Sequence, residues 1–253
     1  SVAEDWRRLR IRAFEGSAPI GGRQIVHFDF GVDRDGDGRP DFEGDLAQLG
    51  LVDPAAPAAL AQTTARRIAE RALERVLRAY AASDDPNRTG SPSDPVAIRF
   101  QLEPVELEAE RAQATRICVG GRDPDQPGSV GHVRFDARNE RRASDECTSQ
   151  EAAGLFPGEL SAYRSSPLYR EVRGPFDPAL GGVPFSCEAE RSEAHARAIA
   201  VFGDALGTLM AHETGHAFGL VAPGRPGVGL FGGEEGEAYA HAVAASEGEA
   251  GER

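Results

Sequence analysis

The chain predicts an α+β fold, and three features of its apolar patterning predict it. Two long stretches carry apolar residues every three or four positions, one from Pro57 to about Ala82 and one from Ala194 to Met210. Between and before them lie short runs in which apolar and polar residues alternate, the period of a half-buried strand. The chain has 253 residues and is 40% hydrophobic, enough for a sizeable core, so all of it is read as a single domain.

Residues 4 to 14 set Trp6, Leu9, Ile11 and Phe14 among arginines, a short amphipathic or extended segment. Gln24 to Phe30 alternates as a half-buried strand, with His27 on its polar phase and therefore expected as a surface or hydrogen-bonded residue and not a ligand. The acidic run from Asp33 to Asp41 follows as a turn. The first long helix comes next, then a polar loop from Ser83 to Pro95 closed by prolines. Val96 to Leu102, Thr115 to Val119 and Gly131 to Phe135 read as three further strands, His132 being a surface residue of the last. Asn139 to Pro184 has little periodicity beyond a helix expected around Glu159 to Tyr169. In the second long helix Ala198, Val201, Phe202, Ala205, Leu206 and Leu209 keep helical spacing. Gly215 and Gly219 near its end are poor helix formers, which a close approach of neighbouring backbone would explain. Val221 to Gly229 is loop, because Pro and Gly dominate it.

No apolar run reaches the roughly 20 residues a membrane span requires. All 28 basic residues are arginine, which reads as the coding bias of a GC-rich genome. A net charge of −13 argues against a nucleic-acid partner and fits a calcium-rich or freely soluble setting. Of the three cysteines, Cys147 and Cys187 lie in loop-like sequence and are the expected pair, leaving Cys118 as a buried thiol. No CxxC occurs, so a cysteine zinc site is not expected.

The chemistry concentrates in His212-Glu213-Thr214-Gly215-His216. Positions four apart on a helix differ by roughly 40° in azimuth, so His212 and His216 project from one face one turn apart and can grip one metal. Glu213 then stands where a carboxylate takes a proton from metal-bound water. The run from His212 to Leu220 resembles the active-site helix of the zincin metallopeptidases, and its HExxHxxG form resembles the metzincin branch. The resemblance implies a twisted mixed sheet packed on two long helices, with an exposed strand that takes up substrate; which strand stays open. It implies an upper subdomain over residues 1–222 and a short, partial lower one over 223–253. In the metzincin branch a third histidine falls at the position of Ala222, and a methionine turn follows. Here Met210 is the only methionine and precedes the motif, so the natural chain is expected to continue past Arg253. There is no secretory signal at Ser1 and no initiating methionine, which points to processing.

The third ligand is expected from Glu234, Glu235, Glu237 or His241. His241 is preferred as the last histidine, while Glu237 matches the gluzincin branch, in which a glutamate about twenty residues on completes the site. Were residues 236–247 helical, Glu237 and His241 would share a face. Tyr239 is a candidate oxyanion partner. The Asp33, Asp35, Asp37, Asp41 series resembles the calcium loops of EF-hands and thrombospondin-type repeats, with Arg39 contributing its carbonyl and Gly38 allowing the turn. Gly44 replaces the EF-hand's bidentate glutamate, leaving Glu43 or Asp45 as substitutes. The expectation is a zinc-dependent endopeptidase acting on protein or peptide, stabilised by calcium and secreted or extracytoplasmic in a bacterium. The alternatives are a non-catalytic calcium-stabilised binding module, or a metal hydrolase with another substrate.

Overall fold

The strand expected near residue 24 forms as β1 (Gln24–Asp29), and it is the middle of a three-stranded parallel sheet. The computed structural model describes residues 24–80, 98–123, 127–134, 136, 141, 143–147, 153–183 and 188–218. After β1 come α1 (Asp41–Gln48), α2 (Ala58–Tyr80), β2 (Ile98–Gln101), α3 (Glu108–Arg111) and β3 (Ala114–Cys118). Then follow β4 (Gly131–His132), β5 (Gly154–Leu155), a 3-10 helix (Pro157–Ala162), α4 (Pro167–Val172), two 3-10 turns and α5 (Glu188–Ala217). The sequence expectations for residues 4–14 and 83–95, and for everything beyond Phe218, lie outside the described residues.

Parallel neighbours need a crossover, and the long α2 occupies the one between β1 and β2. Ile25 pairs with Arg99 on one side and with Ala114 on the other. Past β3 the chain stays in register. Val119 bridges Leu155 in the parallel sense, and Gly120 donates its N–H to the Leu155 carbonyl (2.9 Å). β5 pairs antiparallel with β4 through Gly131–Leu155 and His132–Gly154. The two ladders thus run β2-β1-β3-β5-β4, and among the described residues β4 is paired on one side only.

Burial of β1 on both faces corrects one expectation. His27 is only 7% exposed, because β1 has strands on both sides and packing above and below, where a half-buried strand would keep its polar phase wet. Burial lowers the His27 pKa, against an opposing pull from Asp29.

The core joins the sheet to α2 and α5. Val26, Phe28, Ile68, Val76, Ile117 and Met210 are all fully buried. Tyr80 at the end of α2 tilts against Phe100 (ring centroids 4.9 Å apart), and Phe42 of α1 stacks with Phe202 of α5 (6.4 Å). Gly120 (φ 135°) lets the chain turn against α1, where a Cβ would stand 2.6 Å from the Phe42 nitrogen.

Two further expectations change. The helix expected across 159–169 is split: a 3-10 helix ends at Ala162, and Ser166 caps a new start by accepting the Tyr169 N–H (3.1 Å), with Pro167 as its first residue. The disulfide joins Cys118 to Cys147, with Cα atoms 5.4 Å apart, and not Cys147 to Cys187. Its cause is non-local. Arg116 and Asp145 form a parallel bridge, Glu146 donates its N–H to the Arg116 carbonyl, and the next residue is thereby laid beside the buried end of β3. No helix among the described residues is long and apolar enough to cross a membrane.

Candidate metal centre

α5 is held against α2 by absent side chains. A Cβ at Gly207 would lie 2.4 Å from the Ala72 carbonyl oxygen, and one at Gly203 would lie 2.7 Å from Cγ of Arg71. Gly207 thus shows a close approach of neighbouring backbone on the same helix; Gly219, where one was expected, lies outside the described residues. Arg71 pairs with Asp204 (2.7 Å) and Arg75 donates to Thr208 (3.1 Å), tying the same two helices at their margin.

Further along, the Tyr80 hydroxyl donates to the Ala211 carbonyl (3.0 Å), one residue before the first histidine. Met210 and Thr214, four apart, are fully buried and face the core, where the Thr214 hydroxyl donates to the Met210 carbonyl (2.8 Å). His212 and His216 therefore fall on roughly the opposite side of the helix.

Their rings meet. Nε2 of His212 and Nε2 of His216 are 3.0 Å apart, with the ring planes crossed at 87°. Two nitrogens bound to one tetrahedral zinc stand about 3.3 Å apart, so this pair is within a few tenths of an ångström of the separation such an ion requires. Glu213 joins them, and the ligand atoms of all three residues lie within 4.8 Å of one another. His216 is 6% exposed and Glu213 3%, while His212 is half-buried and opens the group to solvent. The two imidazoles could hold a divalent ion such as zinc, with the Glu213 carboxylate beside them.

The edge strand β4 packs on this group. Gly131 is so close that a Cβ there would lie 3.0 Å from Oε1 of Glu213. Next in the strand, Nδ1 of His132 is 2.6 Å from Oδ2 of Asp123, whose side chain is wholly buried. His132 is thus engaged with a buried carboxylate, contrary to its expected place as a plain surface residue. Past β4, the Asp136 N–H reaches the His216 carbonyl (3.2 Å). Sequence reasoning missed both Gly131 and the His132–Asp123 contact. A glycine opening a strand was the available signal, since glycine there marks a close approach.

The acidic loop forms elsewhere, at the start of α1. Asp33, Asp35 and Asp37 bring carboxylates within 4.8 Å of one another, all exposed. Asp33 accepts N–H groups from Gly36 (2.7 Å), Asp37 (3.2 Å) and Gly38 (2.9 Å), and both glycines have positive φ (74° and 86°). Desolvation pushes the Asp33 carboxyl up, but the Gly38, Gly36 and Asp37 N–H groups and a hydrogen bond with Asp35 together outweigh it, so its pKa is lowered. Arg39 follows on the same turn, donating its N–H to Asp37 (2.8 Å). Asp41 is not one of the three carboxylates that converge, though it lies close enough to Asp35 to accept its N–H. Its carboxylate takes the Arg34 N–H (3.2 and 3.1 Å), closing the loop onto the helix. Asp45 is turned away from the loop, 2% exposed, and accepts the Gly121 N–H (2.9 Å). That leaves Glu43, half-buried on α1, as the remaining substitute for the missing glutamate.

Glu234, Glu235, Glu237, Tyr239 and His241 lie outside the described residues. No family model, curated protein or solved structure matches this chain.

Proposed function

We propose that the protein is a zinc-dependent metallopeptidase with a zincin-like fold, and that Glu213 is its general base. The observation that carries the reading is the convergence of the His212 and His216 Nε2 atoms to 3.0 Å on one helix face, with the buried Glu213 between them in sequence. His212 and His216 would hold the ion, with His241 or Glu237 as the third protein ligand. When bound, zinc supplies Lewis acidity towards a scissile carbonyl and lowers the pKa of water to about 7. Glu213 takes the proton of the attacking water on its carboxylate and passes it to the leaving amine. The outer edge of β4, next to Glu213, is the natural place for an extended peptide to add main-chain hydrogen bonds. Asp33, Asp35 and Asp37 would take a calcium ion that stiffens the turn before α1.

Two variants test this together. Glu213→Gln is expected to keep zinc and lose hydrolysis, whereas His212→Ala loses both, read by elemental analysis beside cleavage of a peptide library. Undiminished cleavage by Glu213→Gln removes the base assignment. A wild type that holds zinc and cleaves nothing supports the binding-module alternative.

A further inference from the structure

Gly131 is conformationally ordinary. Its φ is not among the positive ones, so its backbone is open to any residue, and glycine inside a strand weakens it. The reason for glycine is therefore steric. A Cβ there would meet three atoms of one side chain: Oε1 of Glu213 at 3.0 Å, Cγ at 3.2 Å and Cδ at 3.3 Å. Ordinary contacts between carbon atoms fall at about 3.5–4.0 Å, so either the strand or the glutamate must yield.

The strand is held at several points. β4 pairs with β5, the Phe156 N–H binds the Val130 carbonyl (2.8 Å), and the Ser129 hydroxyl binds the Gly131 carbonyl (3.0 Å). On its other face His132 abuts the buried Asp123 at 2.6 Å. The Glu213 carboxylate is carried on rotatable side-chain bonds, and a Cβ at 131 would press on it directly.

We propose that Gly131 is a positioning residue for hydrolysis: the bare main chain of β4 is the wall against which the Glu213 carboxylate rests, and any side chain at 131 displaces the base. This rests on the peptidase reading above. A shift of about 1 Å in a reacting group costs on the order of a hundredfold in rate, so a few tenths of an ångström is expected to cost about tenfold. The substrate contact of β4 is made by its outer edge, so binding is spared.

The test uses Gly131→Ala, Gly131→Val, Glu213→Ala and the double variant Gly131→Ala/Glu213→Ala in the full chain. Gly131→Ala is expected to lower kcat about tenfold with KM within about twofold and zinc content unchanged, and Gly131→Val to lower kcat further. Thermal unfolding supplies a readout independent of activity. Gly131→Ala is expected to lower Tm by about 2–4 °C in the wild type and not at all in the Glu213→Ala background, where the added methyl fills the vacated space. Equal Tm losses in both backgrounds, or an unchanged kcat in Gly131→Ala, overturn the proposal. A wild type that cleaves no peptide sinks the peptidase reading instead, and the Tm comparison alone then decides whether Gly131 positions the carboxylate.

Discussion

Two clusters of potential metal donors stand among the described residues, and they are built in opposite ways. His212, Glu213 and His216 sit on a long helix, two of them nearly buried, in a place made by α2, β4 and the packing of Gly203 and Gly207. Asp33, Asp35 and Asp37 are all exposed, in a turn that is held by its own backbone N–H groups. Burying donors costs desolvation, which tertiary structure must offset, whereas an exposed turn can be acidic at little cost. The contrast teaches that the buried group, which the fold goes out of its way to shape, is where chemistry should be sought; for the loop we propose only a stabilising role.

The largest difference between the two regions should appear in catalysis. Glu213→Gln is expected to lower kcat by about 10²–10⁴. Asp33→Ala in the loop is expected to leave kcat within about twofold, and a comparable loss from it would erase the distinction.

Next in size is the disulfide, which frames the buried side. Cys118 and Cys147 close a loop of 29 residues that contains β4, so the Cys118→Ser/Cys147→Ser variant should lose about 3–4 kcal/mol in denaturant unfolding. Proteolytic cleavage between residues 119 and 146 should also quicken. A variant as stable as the wild type would contradict the pairing.

The smaller effects belong to the loop and to α1 behind it. Calcium in excess is expected to raise Tm by about 2–4 °C in the wild type and not in Asp33→Ala, measured by calorimetry. Behind the loop, burial pushes the Asp45 carboxyl up to about 8, and the nearby Asp41 carboxylate adds to that rise against the Gly121 N–H and Arg122. Burial raises Asp41 as well. An acid whose folded pKa exceeds its unfolded value, about 3.9 for aspartate, binds its proton more tightly when folded. The stability Asp45 contributes is then complete below about pH 4 and is lost as the pH climbs to about 8. Unfolding free energy measured across that window should fall for the wild type and fall less steeply for Asp45→Asn; identical slopes would remove Asp45 as the cause.

What could be read in the sequence was whatever depends on near neighbours. Helical spacing located α2 and α5, and the four-residue step between His212 and His216 announced a shared face. The acidic turn was legible for the same reason, since Gly36 and Gly38 sit within it. Contacts between distant segments were not legible. His27 looked half-wet because alternation reports one strand and says nothing of the strands beside it or the layer beyond. Cys147 pairs with Cys118 through a bridge between Arg116 and Asp145 that no local pattern encodes. The break between the 3-10 helix and α4 is different, because Ser166-Pro167 is a cap signal that apolar periodicity overrode. Gly131 stood in plain view as a glycine in a strand, and only the position of Glu213 gives it a reason.

The central claim is that His212 and His216 together clasp one transition-metal ion. Zinc quantified in protein purified without chelators, for the wild type beside His212→Ala and Asp33→Ala, tests it most directly. About one zinc per chain in the wild type and in Asp33→Ala, with none in His212→Ala, is the result expected. A wild type without zinc, or a His212→Ala protein that keeps it, would contradict the account.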